Sequence, residues 1–198
     1  MRYDYTLEYD GIEYGFINGD DRVVFVKVGL GGTCRGYEEK YLKMASMLRA
    51  KYGCGVIVAS NPNDSKSHVD SDRFAIESYA SDKGFTELRL FLFGHSNGCI
   101  KGLELATVLN NFSKMVLVNM PLMINYHKTK KYLSALNRTE ILLACGELDP
   151  SFSYLAFIDG RFDNVKILRL KQTDHNFSGK TDEFISLSEY LMESDTTC

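Results

Sequence analysis

The sequence predicts an α/β fold, a mostly parallel central sheet of about eight strands with helices on both faces and an antiparallel N-terminal hairpin, and three observations carry that prediction. Near-continuous apolar runs of strand length recur at residues 23–28, 55–59, 88–93, 114–119, 141–145 and 165–170, the pattern of strands covered on both faces. Between most of them lie stretches whose apolar residues recur at helical spacing. One run, Leu88-Arg-Leu-Phe-Leu-Phe93, passes straight into Gly94-His-Ser-Asn-Gly98 and then into another helical stretch.

Each element follows from local chemistry. Tyr3, Tyr5, Leu7 and Tyr9 alternate with Asp4, Thr6 and Glu8, Asp10-Gly11 offers a two-residue turn, and Ile12, Tyr14 and Phe16 resume the alternation. That is a hairpin at a sheet edge. Asn18-Gly-Asp20 turns the chain into strand 23–28, which ends in Gly29-Leu-Gly-Gly-Thr33. From 37 to 52, Tyr41, Ala45, Leu48 and Tyr52 keep helical spacing, and Gly53 stands where a C-cap glycine belongs. Helix 70–83 is closed by Gly84, helix 98–109 follows the Gly-x-Ser-x-Gly turn, and a short helix fills 125–136. Thr181 caps a closing helix with Phe184, Leu187 and Leu191 on one face. No repeat, linker or low-complexity segment interrupts the 198 residues, so one domain over 1–198 is expected, burying roughly 70% of the surface of the unfolded chain.

Composition narrows the function. The net charge is -3 with pI ≈ 5.8, the charges are interspersed, and the one basic cluster, Lys128-Thr-Lys-Lys131, reads as a solvated helix face, so nucleic acid is not an expected partner. The polar, alternating N-terminus lacks an apolar core of signal-peptide length, and no apolar run approaches a membrane span; a soluble, cytoplasmic protein with no membrane partner is expected. Oligomeric state leaves no trace in the sequence. Five cysteines without a CxxC suit a reducing compartment. Cys34, Cys99 and Cys145 fall near strand ends, but their spacing fits no ligand pattern, and neither a metal nor a cofactor is expected.

The strand-to-helix turn makes Ser96 the candidate nucleophile. A turn this sharp strains the serine backbone and pushes Oγ out above the end of the sheet, with Gly94 and Gly98 leaving room where a side chain would collide. The Asn97 N–H points the same way from the start of a helix, where donors are unpaired and the dipole favours negative charge. In a parallel sheet, functional groups gather beyond the carboxyl ends of the strands. Among four histidines, His68 precedes the turn by far, His95 lies within it and points elsewhere, and His127 sits in a polar segment. Only His175 follows the last strand, where a general base can arrive. The loop after 141–145, Gly146-Glu-Leu-Asp-Pro150, offers Glu147 and Asp149, and we assign the acid to Asp149. Asp174 adjoins His175 too closely to reach its far ring nitrogen. Gly29-Leu-Gly-Gly32 supplies the second oxyanion donor, the Leu30 N–H; it lacks the Lys-Ser/Thr of a phosphate loop, and as G-x-G-x-x-G it fails at Cys34.

With Gly94-His-Ser-Asn-Gly98 after the fifth strand, Asp149 after the seventh and His175 in Asp-His-Asn-Phe after the eighth, the chain resembles the α/β-hydrolase family over essentially its whole length. The resemblance implies the α/β-hydrolase fold and a serine hydrolase cleaving a small-molecule ester or thioester. One departure is Val28-Gly29 where many members carry His-Gly before the oxyanion residue. Another is size: members with a lid insert a cap domain between the sixth and seventh strands, and here 120–139 has room for about one short helix. An open site without a cap domain is therefore expected, with Met120, Leu122, Met123 and Tyr126 as the substrate-binding residues. Two alternatives share these residues: a non-catalytic binding or regulatory protein of the same fold, and an acyltransferase.

Overall fold

The computed structural model describes residues 1–193. The hairpin pairs β1 (Tyr5–Tyr9) with β2 (Ile12–Ile17) through a turn in which Asp10 (φ 52°) and Gly11 (φ 75°) are both left-handed, as a two-residue turn matching strand twist requires. The remaining strands are β3 (Asp20–Lys27), β4 (Cys54–Ala59), β5 (Arg89–His95), β6 (Phe112–Val118), β7 (Glu140–Gly146) and β8 (Val165–Leu170). They form an 8-stranded sheet in the order β1-β2-β4-β3-β5-β6-β7-β8, in which β2 meets β4 antiparallel and every later pairing is parallel.

The twofold period of the strands divides the core between the two faces. Val23, Phe25, Ile57, Leu92, Met115 and Leu143 point to one face, where α2 (Val69–Lys83), α3 (Asn97–Leu109) and α4 (Leu122–Ala135) cover them. Val24, Val26, Val58, Phe93 and Val116 point to the other, under α1 (Lys40–Tyr52) and α5 (Thr181–Ser186). Each fully buried Phe or Val contributes roughly 1.5–3 kcal/mol. Lys27 interrupts the apolar run of β3 because its ammonium meets Asp72 of α2 at 2.8 Å, with both side chains sealed from solvent (0% and 1% exposed). The Tyr14 hydroxyl donates to the same carboxylate oxygen at 3.0 Å. Removing one partner would strand a buried charge, a loss of about 3–5 kcal/mol.

Some boundaries differ from expectation, each for a local reason. The first α-helix begins at Lys40, because Gly36, Glu38 (φ 51°) and Glu39 (φ 57°) carry the chain through left-handed conformations, and Tyr37–Glu39 forms only a short 3₁₀ segment before it. Helix α4 starts earlier, at Leu122 after Pro121, and is irregular at Asn125 (φ -124°). The closing helix ends at Ser186 and continues as a 3₁₀ segment, Leu187–Met192. A further 3₁₀ segment, Phe152–Phe157, follows β7 and left no periodic signal. No helix among the described residues is long and apolar enough to cross a membrane. With β3 to β8 parallel, the loops after them share one edge of the sheet.

Candidate active site

Ser96 stands between β5 and α3 with φ 54° and ψ -127°, a conformation that L-residues adopt only when the surroundings force it. The force is visible. Its N–H donates to the Val118 carbonyl (2.8 Å), and its carbonyl accepts from Cys99 N–H (3.0 Å). A Cβ on Gly98 would lie 2.2 Å from the Lys27 carbonyl oxygen and 2.4 Å from that of Val28, so only glycine lets α3 approach β3 this closely. Ser96 and Asn97 remain half-buried, within reach of solvent.

Residues from three strand ends converge there. His175 Nε2 lies 2.9 Å from Ser96 Oγ, and its Nδ1 lies 2.5 Å from Asp149 Oδ2. The Asp149 side chain is 1% exposed, and its other oxygen accepts the Ser151 N–H at 2.7 Å, which fixes the carboxylate from behind. Since an ionised carboxylate can only accept, Nδ1 carries the proton and Nε2 is free to accept from the serine hydroxyl. Glu147 points elsewhere, accepting the Gln172 N–H at 3.1 Å, and Asp174 closes its own turn by accepting from Asn176 and Ser178 N–H at 3.0 Å each.

Three buried side chains that the sequence reading passed over position these groups. Asn119, left-handed at φ 47° and fully buried, donates from Nδ2 to the carbonyls of Asp174 (3.1 Å) and His175 (3.0 Å) and accepts the Gly146 N–H at 2.9 Å, tying together the loops after β6, β7 and β8. His95 donates from Nε2 to the same His175 carbonyl (3.2 Å) and accepts the Tyr41 hydroxyl at Nδ1 (2.9 Å), the tautomer that the carbonyl demands. Burial, with Lys40 as a lesser cause, pushes His95 down to about 3, so the ring is neutral. Asn61 stitches the glycine loop to the end of β4. Its Nδ2 donates to the Val28 carbonyl (3.0 Å) and Asn97 Oδ1 (3.2 Å), its N–H to Gly32 (3.1 Å), and its carbonyl accepts Gly31 N–H (2.7 Å). Among the described residues, neither the Leu30 nor the Asn97 N–H has a protein acceptor.

The residues expected to bind substrate separate. Met120 and Leu122 are 1% exposed and packed into the core beneath α3 and α4, a correction to their expected role: the start of α4 turns them inward. Met123 and Tyr126, with Tyr154 and Phe157, line a cavity of about 480 Å³. It adjoins the acid loop, since the Met123 N–H donates to Ser151 Oγ at 3.4 Å. Of the remaining histidines, His68 pairs with Asp64 (3.0 Å) and His127 is exposed on α4. Cys34, Cys99 and Cys145 are buried, and burial pushes their thiols up, Cys34 and Cys145 to about 12, so they pack as small apolar groups. Cys198 lies outside the described residues.

No protein-family model matches the sequence, and no curated protein does. Solved structures do match. Est1E from Butyrivibrio proteoclasticus superposes with a TM-score of 0.71 over 95% of this chain and 97% of its own, at 11% identity. XC6422 from Xanthomonas campestris, a serine hydrolase without a lid, gives 0.69 over 96% and 94% at 16% identity. The thioesterase domain of the curacin biosynthetic pathway gives 0.61 over 96% and 98% at 14% identity. These likenesses run nearly end to end, and between β6 and β7 stands α4 with no inserted domain. The chain has the α/β-hydrolase fold, in its form without a cap domain.

Proposed function

We propose that the protein is a serine hydrolase that cleaves a small-molecule ester or thioester through an acyl-enzyme. The observation that carries this reading is the unbroken line from Ser96 Oγ through His175 to Asp149, at 2.9 Å and 2.5 Å. Ser96 Oγ attacks the carbonyl carbon while His175 Nε2 takes its proton, and Asp149 orients the ring and stabilises its cationic form. The carbonyl oxygen becomes an oxyanion, held by the N–H groups of Leu30 and Asn97. Collapse of that intermediate expels the alcohol or thiol, which leaves with the proton from Nε2. Water then attacks the acyl-serine by the same steps in reverse. The solved structures of like fold that are described as a serine hydrolase and a thioesterase domain are in keeping with this chemistry.

The test is Ser96→Ala assayed on a short p-nitrophenyl ester, alongside labelling of the unaltered protein by a fluorophosphonate. Turnover should fall by about 10³-fold or more, and the probe should mark only the protein that retains Ser96. A folded protein that neither hydrolyses nor takes the label favours the binding-protein alternative.

A further inference from the structure

A second cavity, of about 410 Å³, flanks the histidine loop and is lined by Tyr37, Lys40, Asn176, Ser178 and Gly179. Asn176 directly follows His175. Lys40 gives the cavity its chemical bias: the residue is only 7% exposed, and its Nζ stands 4.4 Å from the ring centre of Phe184 and 5.3 Å from that of Tyr41. Ring faces offset part of the cost of burying an ammonium, but they accept none of its hydrogen bonds in the strong sense that an oxygen does. The neighbouring carboxylates are engaged elsewhere. Glu39 pairs with Arg35 at 2.6 Å, Glu38 accepts from Thr181 at 2.9 Å, and Asp174 holds the N–H groups of Asn176 and Ser178. Among the described residues, Lys40 has no carboxylate within ion-pair distance and no hydrogen-bond acceptor, a cation left open toward a cavity beside the base.

We propose that this cavity is an anion subsite that takes a carboxylate carried by the leaving part of the substrate, with Lys40 as its charge partner and the side chains of Asn176 and Tyr37 as donors around it. The proposal rests on the reading of Ser96, His175 and Asp149 as the hydrolytic centre. The side of the site follows from proton delivery: Nε2 returns its proton to the leaving oxygen or sulfur, so the leaving group lies toward the histidine loop. Burial lowers the Lys40 ammonium from its ordinary range while Asp174 counters that weakly, and a bound carboxylate would add to the countering.

The experiment compares 4-acetoxybenzoate with its methyl ester, whose leaving phenols differ by one remote charge, in the unaltered protein and in Lys40→Met. The intrinsic difference in leaving-group acidity cancels when the two proteins are compared. The preference for the carboxylate, expressed as the ratio of the two kcat/KM values, should fall about tenfold in Lys40→Met, with Lys40→Arg recovering part of it. An unchanged ratio overturns the subsite. A measurement that needs no turnover separates this from the hydrolytic reading: 4-hydroxybenzoate titrated into Ser96→Ala, followed at the amide resonances of Asn176 and Gly179. Saturable shifts that Lys40→Met removes support the subsite even if no ester is ever cleaved, an outcome that would sink the hydrolytic reading alone. Absence of shifts at those positions overturns the subsite even if hydrolysis is robust.

Discussion

The two halves of the candidate site are fixed by different means. The Ser96 half is built from main chain: a left-handed serine, a glycine pressed on the carbonyls of Lys27 and Val28, and a Ser96 N–H bonded to Val118. The half that carries Asp149 and His175 consists of loops after β7 and β8, joined by a main-chain bond from the Leu148 N–H to the Thr173 carbonyl (3.0 Å) and positioned by side chains from elsewhere, the Asn119 amide and the His95 imidazole. A nucleophile can be placed by a handful of consecutive residues, because the geometry it needs is one sharp turn. A base and its acid have to be brought across the sheet, and their register depends on a few buried polar groups that are distant in sequence. The comparison can be broken or sharpened by variants in the second half.

The largest effect is expected at the acid. In Asp149→Asn, the amide keeps the shape but offers an N–H where His175 Nδ1 needs an acceptor, favouring the wrong tautomer, and in a well-studied serine protease that change lowered turnover about 10⁴-fold. Glu147→Gln, on an exposed side chain that accepts only the Gln172 N–H, should stay within about threefold of the unaltered rate. Steady-state kinetics on one ester decides it. Near-normal rates in Asp149→Asn together with a collapse in Glu147→Gln would transfer the acid to Glu147.

This contrast also explains what could be read in advance. The eight-stranded, mostly parallel sheet was legible because strands covered on both faces are apolar throughout, and the turn at Ser96 because its glycines are adjacent in sequence. The gathering of Ser96, Asp149 and His175 followed from one rule about strand ends. Asn119 was read only as the end of an apolar run and His95 only as a residue pointing away. Their partners lie 27 to 80 positions away in the chain, and hydrogen bonds of that span leave no periodicity. Asn61 was invisible for the same reason, although an asparagine just past a strand that faces a glycine loop is a signal worth weighing. Met120 and Leu122 failed differently: the residue types that line an apolar cavity are those that fill a core, and only the entry angle of α4 tells them apart.

An intermediate effect is expected at Asn119. Asn119→Ala removes one donor from each of the carbonyls of Asp174 and His175 and the side-chain acceptor of the Gly146 N–H, a loss of about 1–3 kcal/mol in stability. The His175 carbonyl would then be held by His95 alone, and kcat should fall by roughly 10–100-fold, since a displacement of about 1 Å in a reacting group is enough for that. Asn119→Asp separates the two roles, keeping an acceptor for Gly146 while setting a carboxylate against two carbonyls. It should be the worse variant in kcat. If both retain full turnover on the ester used for Asp149→Asn, the loop positions His175 without help, and the contrast between the two halves fails.

The smallest effect at neutral pH, and the one that isolates a single group, concerns His95. Its folded-state value is pushed down to about 3 by burial, whereas an unfolded histidine titrates near 6.5. Above about pH 6.5 the ring is neutral in both states and contributes no pH dependence. Below that, the unfolded chain takes up a proton that the folded chain refuses, so stability is lost as pH falls toward about 3, at roughly 1.4 kcal/mol per unit. At pH 4.5 the loss amounts to about 2–3 kcal/mol. His68, also lowered by burial, drives in the same direction, and acidic groups held below their ordinary range, such as Glu140 at about 2, lose their own contribution on acidification. Those terms are common to the unaltered protein and to His95→Gln, which keeps a neutral donor for the His175 carbonyl and has nothing to protonate. Urea midpoints at pH 7 and pH 4.5 for both proteins therefore give the His95 term by difference. His95→Gln should lose about 2–3 kcal/mol less between the two pH values than the unaltered protein does. Equal losses would mean that acid opens the fold elsewhere first, and the neutral His95 that braces the histidine loop would not be its acid-labile point.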